Sequence, residues 1–286
     1  MTRPSRIVDA HVHLWDPARA DWYPYLSGAM KLDMGDTRGM ARVFDVATHR
    51  AESAGWNVTQ LVNVAAATGR HSVDETLEMD RRAERDGQPA ALIGGIPPAD
   101  SVAETIELID AQLGASRLRG LRLMRSPGPV PPADVLRALA ERGLVFELMA
   151  HPDQLAGAAS AFDGIDDLVV VVEHTGWPRS DTPEERALWE AGMAALAAVG
   201  ENVVCKLSGL AMPLKSMAVD AFAPWLEPAI ELFGVDRCLF ASNFPVDGLH
   251  GTWDELYSTF AAVTAGLDDV SRDTLFAATA ERIYRL

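Results

Sequence analysis

Short apolar runs recur along the chain, separated by polar and amphipathic stretches. They centre near Asp9, Val62, Ile93, Leu121, Phe146, Val171, Val204 and Leu239. After a longer first interval the centres lie roughly 25 to 35 residues apart, the period of one strand followed by one helix. The stretches between them, rich in Ala, Leu, Glu and Arg, predict helices over 72–87, 101–113, 132–142, 182–199 and 213–233. Eight such units predict an α/β fold, a (β/α)8 TIM barrel, as a single domain over 1–286. An open doubly wound sheet is the alternative, although it usually has fewer strands. The run Val169-Val170-Val171-Val172 has the near-continuous apolar character of a parallel strand covered on both faces. Residues 16–38 are too long for an ordinary connection and carry Trp22, Tyr23, Pro24 and Tyr25, so they read as a lid-like wall over a site. The closing stretch, 271–286, reads as a helix capped by Ser271.

Histidines bring chemistry into this pattern. In an extended segment His11 and His13 point to one face, about 7 Å apart along the strand, a spacing that suits two ligands of one metal ion. The alternative is a hydrogen-bonded pair on a short apolar strand. His151 and His174 each follow another strand-like run, so four imidazoles fall at the carboxyl ends of three strands. In a barrel of this kind catalytic groups project from those ends, which places Arg122, Arg125, Lys206, Ser208, Ser242 and Asn243 on the same face. Arg122 and Arg125 are fork-shaped donors suited to a carboxylate or a polyhydroxylated ligand, with a salt bridge as the competing role for Arg125. Lys206 reads either as a buried charge paired with Glu173 or Glu147 or as a substrate contact. Trp22 and Tyr23 read as substrate-contacting wall residues. His49 and His71 lack strand-end contexts and read as surface residues, whereas His250 can reach the pocket from its loop.

Composition narrows the partners. Lys and Arg number 25 against 41 Asp and Glu, a formal charge of −16 that disfavours nucleic acid and anionic membranes. An anionic small molecule stays open, because a few arginines in one cleft can outweigh a dispersed net charge. Met1 to Arg6 are polar and no apolar leader precedes the first strand, so a cytoplasmic, soluble enzyme is expected. Cys205 and Cys238 lie in apolar strand-like segments and read as buried free thiols. A homodimer is the default assembly.

Five segments in order carry a resemblance: Val-Asp-Ala-His-Val-His-Leu-Trp-Asp-Pro (8–17), Gly-Leu-Arg (120–122), Glu-His-Thr-Gly-Trp-Pro (173–178), Lys-Leu-Ser-Gly-Leu (206–210) and Phe-Ala-Ser-Asn-Phe-Pro-Val-Asp (240–247). Together they resemble the amidohydrolase superfamily, and more narrowly its amidohydrolase-2 branch of sugar-acid and 2-pyrone-4,6-dicarboxylate lactonases. The resemblance spans nearly the whole chain and implies ring-opening hydrolysis of a lactone. It makes His11, His13 and His174 metal or substrate ligands, with His174 also polarising the scissile carbonyl and His151 a less secure match. Many of these enzymes carry an aspartate where this chain has Asn243, and an amide cannot act as a general base near neutral pH. Zinc is the expected metal of the resemblance, but an amide in place of a carboxylate ligand weakens divalent-metal binding, which makes metal-independent catalysis the alternative. The missing base leaves a neighbouring histidine, Asp247 or Glu147 as substitutes. Otherwise the reaction is a lactone isomerisation; a metal-dependent decarboxylation and a binding protein without turnover are the remaining readings.

Overall fold

A computed structural model describes residues 3–28, 30, 36–123 and 130–286. Arg125 lies outside the described residues. Eight parallel strands follow one another in sequence order: β1 (Ile7–Val12), β2 (Val58–Val64), β3 (Ala91–Ile96), β4 (Leu118–Leu123), β5 (Val145–Leu148), β6 (Val170–Val172), β7 (Val203–Leu207) and β8 (Cys238–Phe240). The seam between first and last closes just past their carboxyl ends. There Asn243 N donates to His11 O at 2.8 Å, His13 N donates to Phe244 O at 2.8 Å, and Val12 bridges Phe244. This is the (β/α)8 barrel that the periodicity predicts.

The connecting helices are α1 (Val46–Glu52), α2 (His71–Asp86), α3 (Val102–Asp110), α4 (Ala133–Glu141), α5 (Pro152–Ser160), α6 (Pro183–Val199), α7 (Ala211–Leu214), α8 (Val219–Phe233) and α9 (Trp253–Val263). Their starts follow local chemistry: Ser101, Thr182 and Thr252 each accept a hydrogen bond from a backbone amide in the first turn that follows. The stretch 213–233 does not form one helix. Lys215 takes a left-handed conformation, φ 51°, that ends α7 and turns the chain into α8. The closing segment starts earlier than expected: α10 (Asp269–Asp273) is capped by Asp268, whose side chain accepts from the Ser271 amide, so Ser271 is inside the helix. A wider turn over Thr274–Ala278 leads into α11 (Thr279–Tyr284).

Two apolar layers result. The strand faces turned outward, with Ile7, Leu61, Leu121, Phe146, Val172, Cys205 and Phe240, pack against the helices. The faces turned inward, including Val8, Ala10, Val62, Ile93, Val145, Val171, Val204 and Leu239, fill the barrel, and Ala277, Ala280, Ile283 and Tyr284 pack with them. Both cysteines are buried and unbridged. No helix among the described residues is long and apolar enough to cross a membrane.

Candidate active site

The site begins with an irregularity in β1. Val8 and Ala10 face the barrel interior, so strict alternation would send His11 and His13 outward to the helices. Between Asp9 and Val12, however, β1 advances three residues while β2 advances two, from Leu61 to Asn63. The extra residue reverses the facing of everything after it, and both imidazoles turn inward. Asp9, before the bulge, stays on the helix side. Its carboxylate accepts from Ser242 N at 2.8 Å, His49 Nε2 at 2.8 Å and Trp253 Nε1 at 3.2 Å. His49 is thus fully buried against Asp9 and not a surface residue, because a carboxylate pointing into the helix layer must find donors there.

His11 Nε2 and His13 Nε2 lie 3.2 Å apart. His13 Nδ1 donates to Val64 O at 2.8 Å, which leaves its Nε2 without a proton and facing His11. Asn63, a polar residue in an apolar strand, holds the next turn of chain by accepting from Leu14 N at 2.8 Å. The His174 ring stands 4.8 Å from that of His11 and pairs through Nδ1 with Ser208 Oγ at 3.0 Å. It is aimed by an unusual backbone, since His174 and Thr175 both have φ of 55° in the left-handed region. All three imidazoles are held neutral. Burial, and then the positive charges of Arg122 and Lys206, lowers His174 to about 3 and puts His11 and His13 well below the ordinary histidine range.

Beneath them are two buried carboxylates and two cations. Lys206 Nζ donates to both oxygens of Glu147 at 2.7 Å, and the Tyr284 hydroxyl donates to Glu147 Oε1 at 2.6 Å. Arg122 NH1 donates to Glu173 at 3.2 and 3.3 Å, and its NH2 donates to Ala65 O at 2.6 Å. Glu173 lies 3.9 Å from His11 Nδ1 and 3.7 Å from His174 Nε2. Lys206 takes the ion-pair alternative with Glu147, while Arg122 spends its fork on Glu173 and a carbonyl.

Asn243, on the loop past β8 with φ 56°, donates Nδ2 to Asp247 Oδ1 at 2.8 Å. Asp247 is fully buried, its Oδ2 has no hydrogen-bond partner, and burial pushes its carboxyl up to about 7. His151 sits to one side, with Nδ1 donating to Trp177 O at 3.0 Å and its ring 5.1 Å from that of Trp177, which in turn is 5.5 Å from His174. Of the aromatic wall, Trp15 stacks on His13 at 5.7 Å, and Tyr23 and Tyr25 pack on Trp15. The Tyr23 hydroxyl donates to Glu75, whose other oxygen accepts the Ala66 and Ala67 amides. Trp22 is buried, stacks on His71 under the Arg19 guanidinium and meets Tyr23 edge to face, which makes His71 a partner of these aromatics. Trp15, Ser208, Asn63, Glu173 and Tyr284 shape the site more directly than their sequence contexts suggest. Polar residues interrupting apolar strands were the available signal for Asn63 and Glu173; Tyr284 had none.

The donor set fits a divalent ion. Two nitrogens bound tetrahedrally to zinc sit roughly 3.3 Å apart, close to the His11–His13 separation. The buried His11 Nδ1 has no hydrogen-bond partner and faces the Glu173 carboxylate, the position a second carboxylate holds behind a ligating imidazole. His11, Glu147 and Glu173 also bring three donor atoms within 4.8 Å of one another, although Lys206 and Arg122 already balance those carboxylates.

A family model described as Amidohydrolase matches residues 8–286. The chain is similar to an L-fucono-1,5-lactonase from Burkholderia multivorans, 28% identical over 301 residues that cover 98% of this chain and 96% of that protein. It is similar, also at 28% identity, to the uncharacterized protein y4mH of Sinorhizobium fredii, with 98% of each covered. A crystal structure of a Burkholderia multivorans amidohydrolase with bound zinc superposes with a TM-score of 0.81 at 25% identity, covering 99% of this chain and 100% of that one.

Proposed function

We propose, starting from the fact that this chain belongs to the amidohydrolase family, that it opens the ring of a lactone of a sugar acid or related carboxylic acid by hydrolysis. The observation that carries this reading is the cluster of three neutral, buried imidazoles, with Asn243 tied to it through the His11 carbonyl and anchored by the buried carboxylate of Asp247. Similarity to a lactonase supports the choice of substrate class.

Asn243 cannot take a proton from water, but Asp247, bonded to it, can. A carboxyl near 7 is divided between acid and base at neutral pH, so Asp247 suits accepting the proton of the attacking water and returning it to the departing ring oxygen. Glu147 is unsuited to that role, because Lys206 and Tyr284 occupy its carboxylate. The Asn243 amide, anchored through Nδ2, presents its Oδ1 as an acceptor that orients a water or a substrate hydroxyl. His174, fixed through Nδ1 by Ser208, directs Nε2 toward the oxygen that gains negative charge as water adds. His11 and His13 would hold zinc through Nε2, which when bound would supply Lewis-acid polarisation of a carbonyl, and a His174 that joined them as a third ligand would give up its contact with that oxygen. The aromatic wall of Trp15, Tyr23 and Tyr25 keeps bulk water from one side of the cluster.

The test is a screen of the purified protein against aldono- and uronolactones, followed by proton release and NMR. Conversion to the open acid with uptake of one water supports hydrolysis. Interchange of five- and six-membered rings without open acid, or no conversion above the spontaneous rate, overturns it.

A further inference from the structure

The amino-terminal end of a (β/α)8 barrel ordinarily serves stability alone. Here α11 closes that end, tied to the start of β1 by Arg6 with Asp273 and Glu281, and to the residues before β8 by Arg282 with Asp236 O. Its penultimate turn packs among Val8, Val145, Val171, Val204 and Leu239 inside the barrel. From there Tyr284 reaches the polar cluster under the imidazoles: its hydroxyl meets Glu147, and its ring lies 5.4 Å from Lys206 Nζ.

The cluster has a choice of pairings. Two carboxylates and two cations share one closed volume, with Glu147 and Glu173 each offering an oxygen within 4.8 Å of the other and of His11. Lys206 on Glu147 and Arg122 on Glu173 leaves Glu173 facing His11 Nδ1. Lys206 on Glu173 would draw that carboxylate away from His11 and leave Glu147 buried without its counter-charge. A second donor on Glu147, the Tyr284 hydroxyl, adds a third hydrogen bond and breaks the tie, since a buried carboxylate is held where most of its lone pairs are met.

We propose that Tyr284 is a positioning residue for the active site: its hydroxyl, with the Lys206 ammonium, fixes the Glu147 carboxylate and thereby keeps Glu173 facing His11. The inference rests on the lactone-opening reading for its kinetic consequence but not for its structural one.

The experiment uses full-length Tyr284→Phe, which keeps the ring and removes only the hydroxyl. Ile283→Val serves as a control, trimming the same plug without touching Glu147. Three readouts are compared: kcat and KM for ring opening, the imidazole nitrogen resonances of His11 in 15N-histidine-labelled, chelator-treated protein, and the urea midpoint. The expected result is a fall in kcat of about tenfold at unchanged KM with displaced His11 resonances in Tyr284→Phe. Ile283→Val should keep wild-type kcat and resonances even where its midpoint falls as far. Wild-type kcat and resonances in Tyr284→Phe would overturn the proposal, as would an equal kcat loss in Ile283→Val. If the wild type opens no lactone, the functional reading fails on its own and the His11 resonances still decide the role of Tyr284. Should Tyr284→Phe not fold, Glu147→Gln interrupts the same link and is expected to displace the same resonances.

Discussion

Gly209 and the His174 ring are in direct contact: a β-carbon at position 209 would lie 2.5 Å from both Cγ and Nδ1 of His174. Gly209 also has φ of 69°, a conformation other residues resist. The loop after β7 can therefore press against the imidazole only because this residue has no side chain, and Ser208 reaches His174 Nδ1 as a result. Gly209→Ala is expected to cost about 1–3 kcal/mol of stability and to lower kcat by more than about tenfold, because the ring must move. Urea unfolding alongside ring-opening kinetics checks it; a stable variant with wild-type kcat would show that the ring position is not critical.

The pH dependence of turnover tests Asp247. Its carboxyl sits at about 7, so kcat/KM should rise with pH through that value as the base form accumulates. Asp247→Asn should lose most activity and the pH limb with it. A limb that persists in the variant would assign it to another group.

Stability should fall in acid in the same sense as for an ordinary carboxylate pair, but beginning at the higher pH where free histidine titrates. His174 is lowered to about 3 from a usual value of 6.5, and His11 and His13 are lowered as well, so the unfolded chain binds protons first as pH falls. Their contribution is complete above 6.5 and is lost progressively below it. Urea midpoints of chelator-treated protein should therefore fall from pH 7 to pH 4, and less steeply in His174→Asn. Equal slopes would show that the imidazoles are not the groups responsible.

Protein purified without added metal or chelator should carry close to one zinc per chain by elemental analysis, and His13→Ala should carry much less. Ring opening should fall on chelation and return with zinc. Full activity after stripping would mean that the imidazoles act on the substrate directly.

The Asp9–His49 pair lies on the helix side of β1 and should separate stability from chemistry. His49→Ala leaves Asp9 Oδ2 with Trp253 alone and is expected to cost about 2–4 kcal/mol while kcat stays within about twofold of wild type. A large kcat loss in a folded protein would place His49 in the site.

Apolar periodicity made the barrel legible, because a parallel strand covered on both faces and an amphipathic helix leave different and regularly spaced patterns. The strand-end position of His11, His13, His174 and Asn243 followed from the same spacing, and the motifs around them pointed to the family. Which way the two β1 histidines face was not legible: a single extra residue between Asp9 and Val12 reverses it, and that residue exists only relative to β2. The burial of His49, the pairing of Arg122 with Glu173 and of Lys206 with Glu147, and the reach of Tyr284 likewise depend on partners 40, 51, 59 and 137 residues away along the chain. Local sequence determines which segments extend or coil and which ends carry polar groups. Only the closed barrel brings charges from distant strands into one dry volume, where each must find a partner, and that requirement selects the pairs.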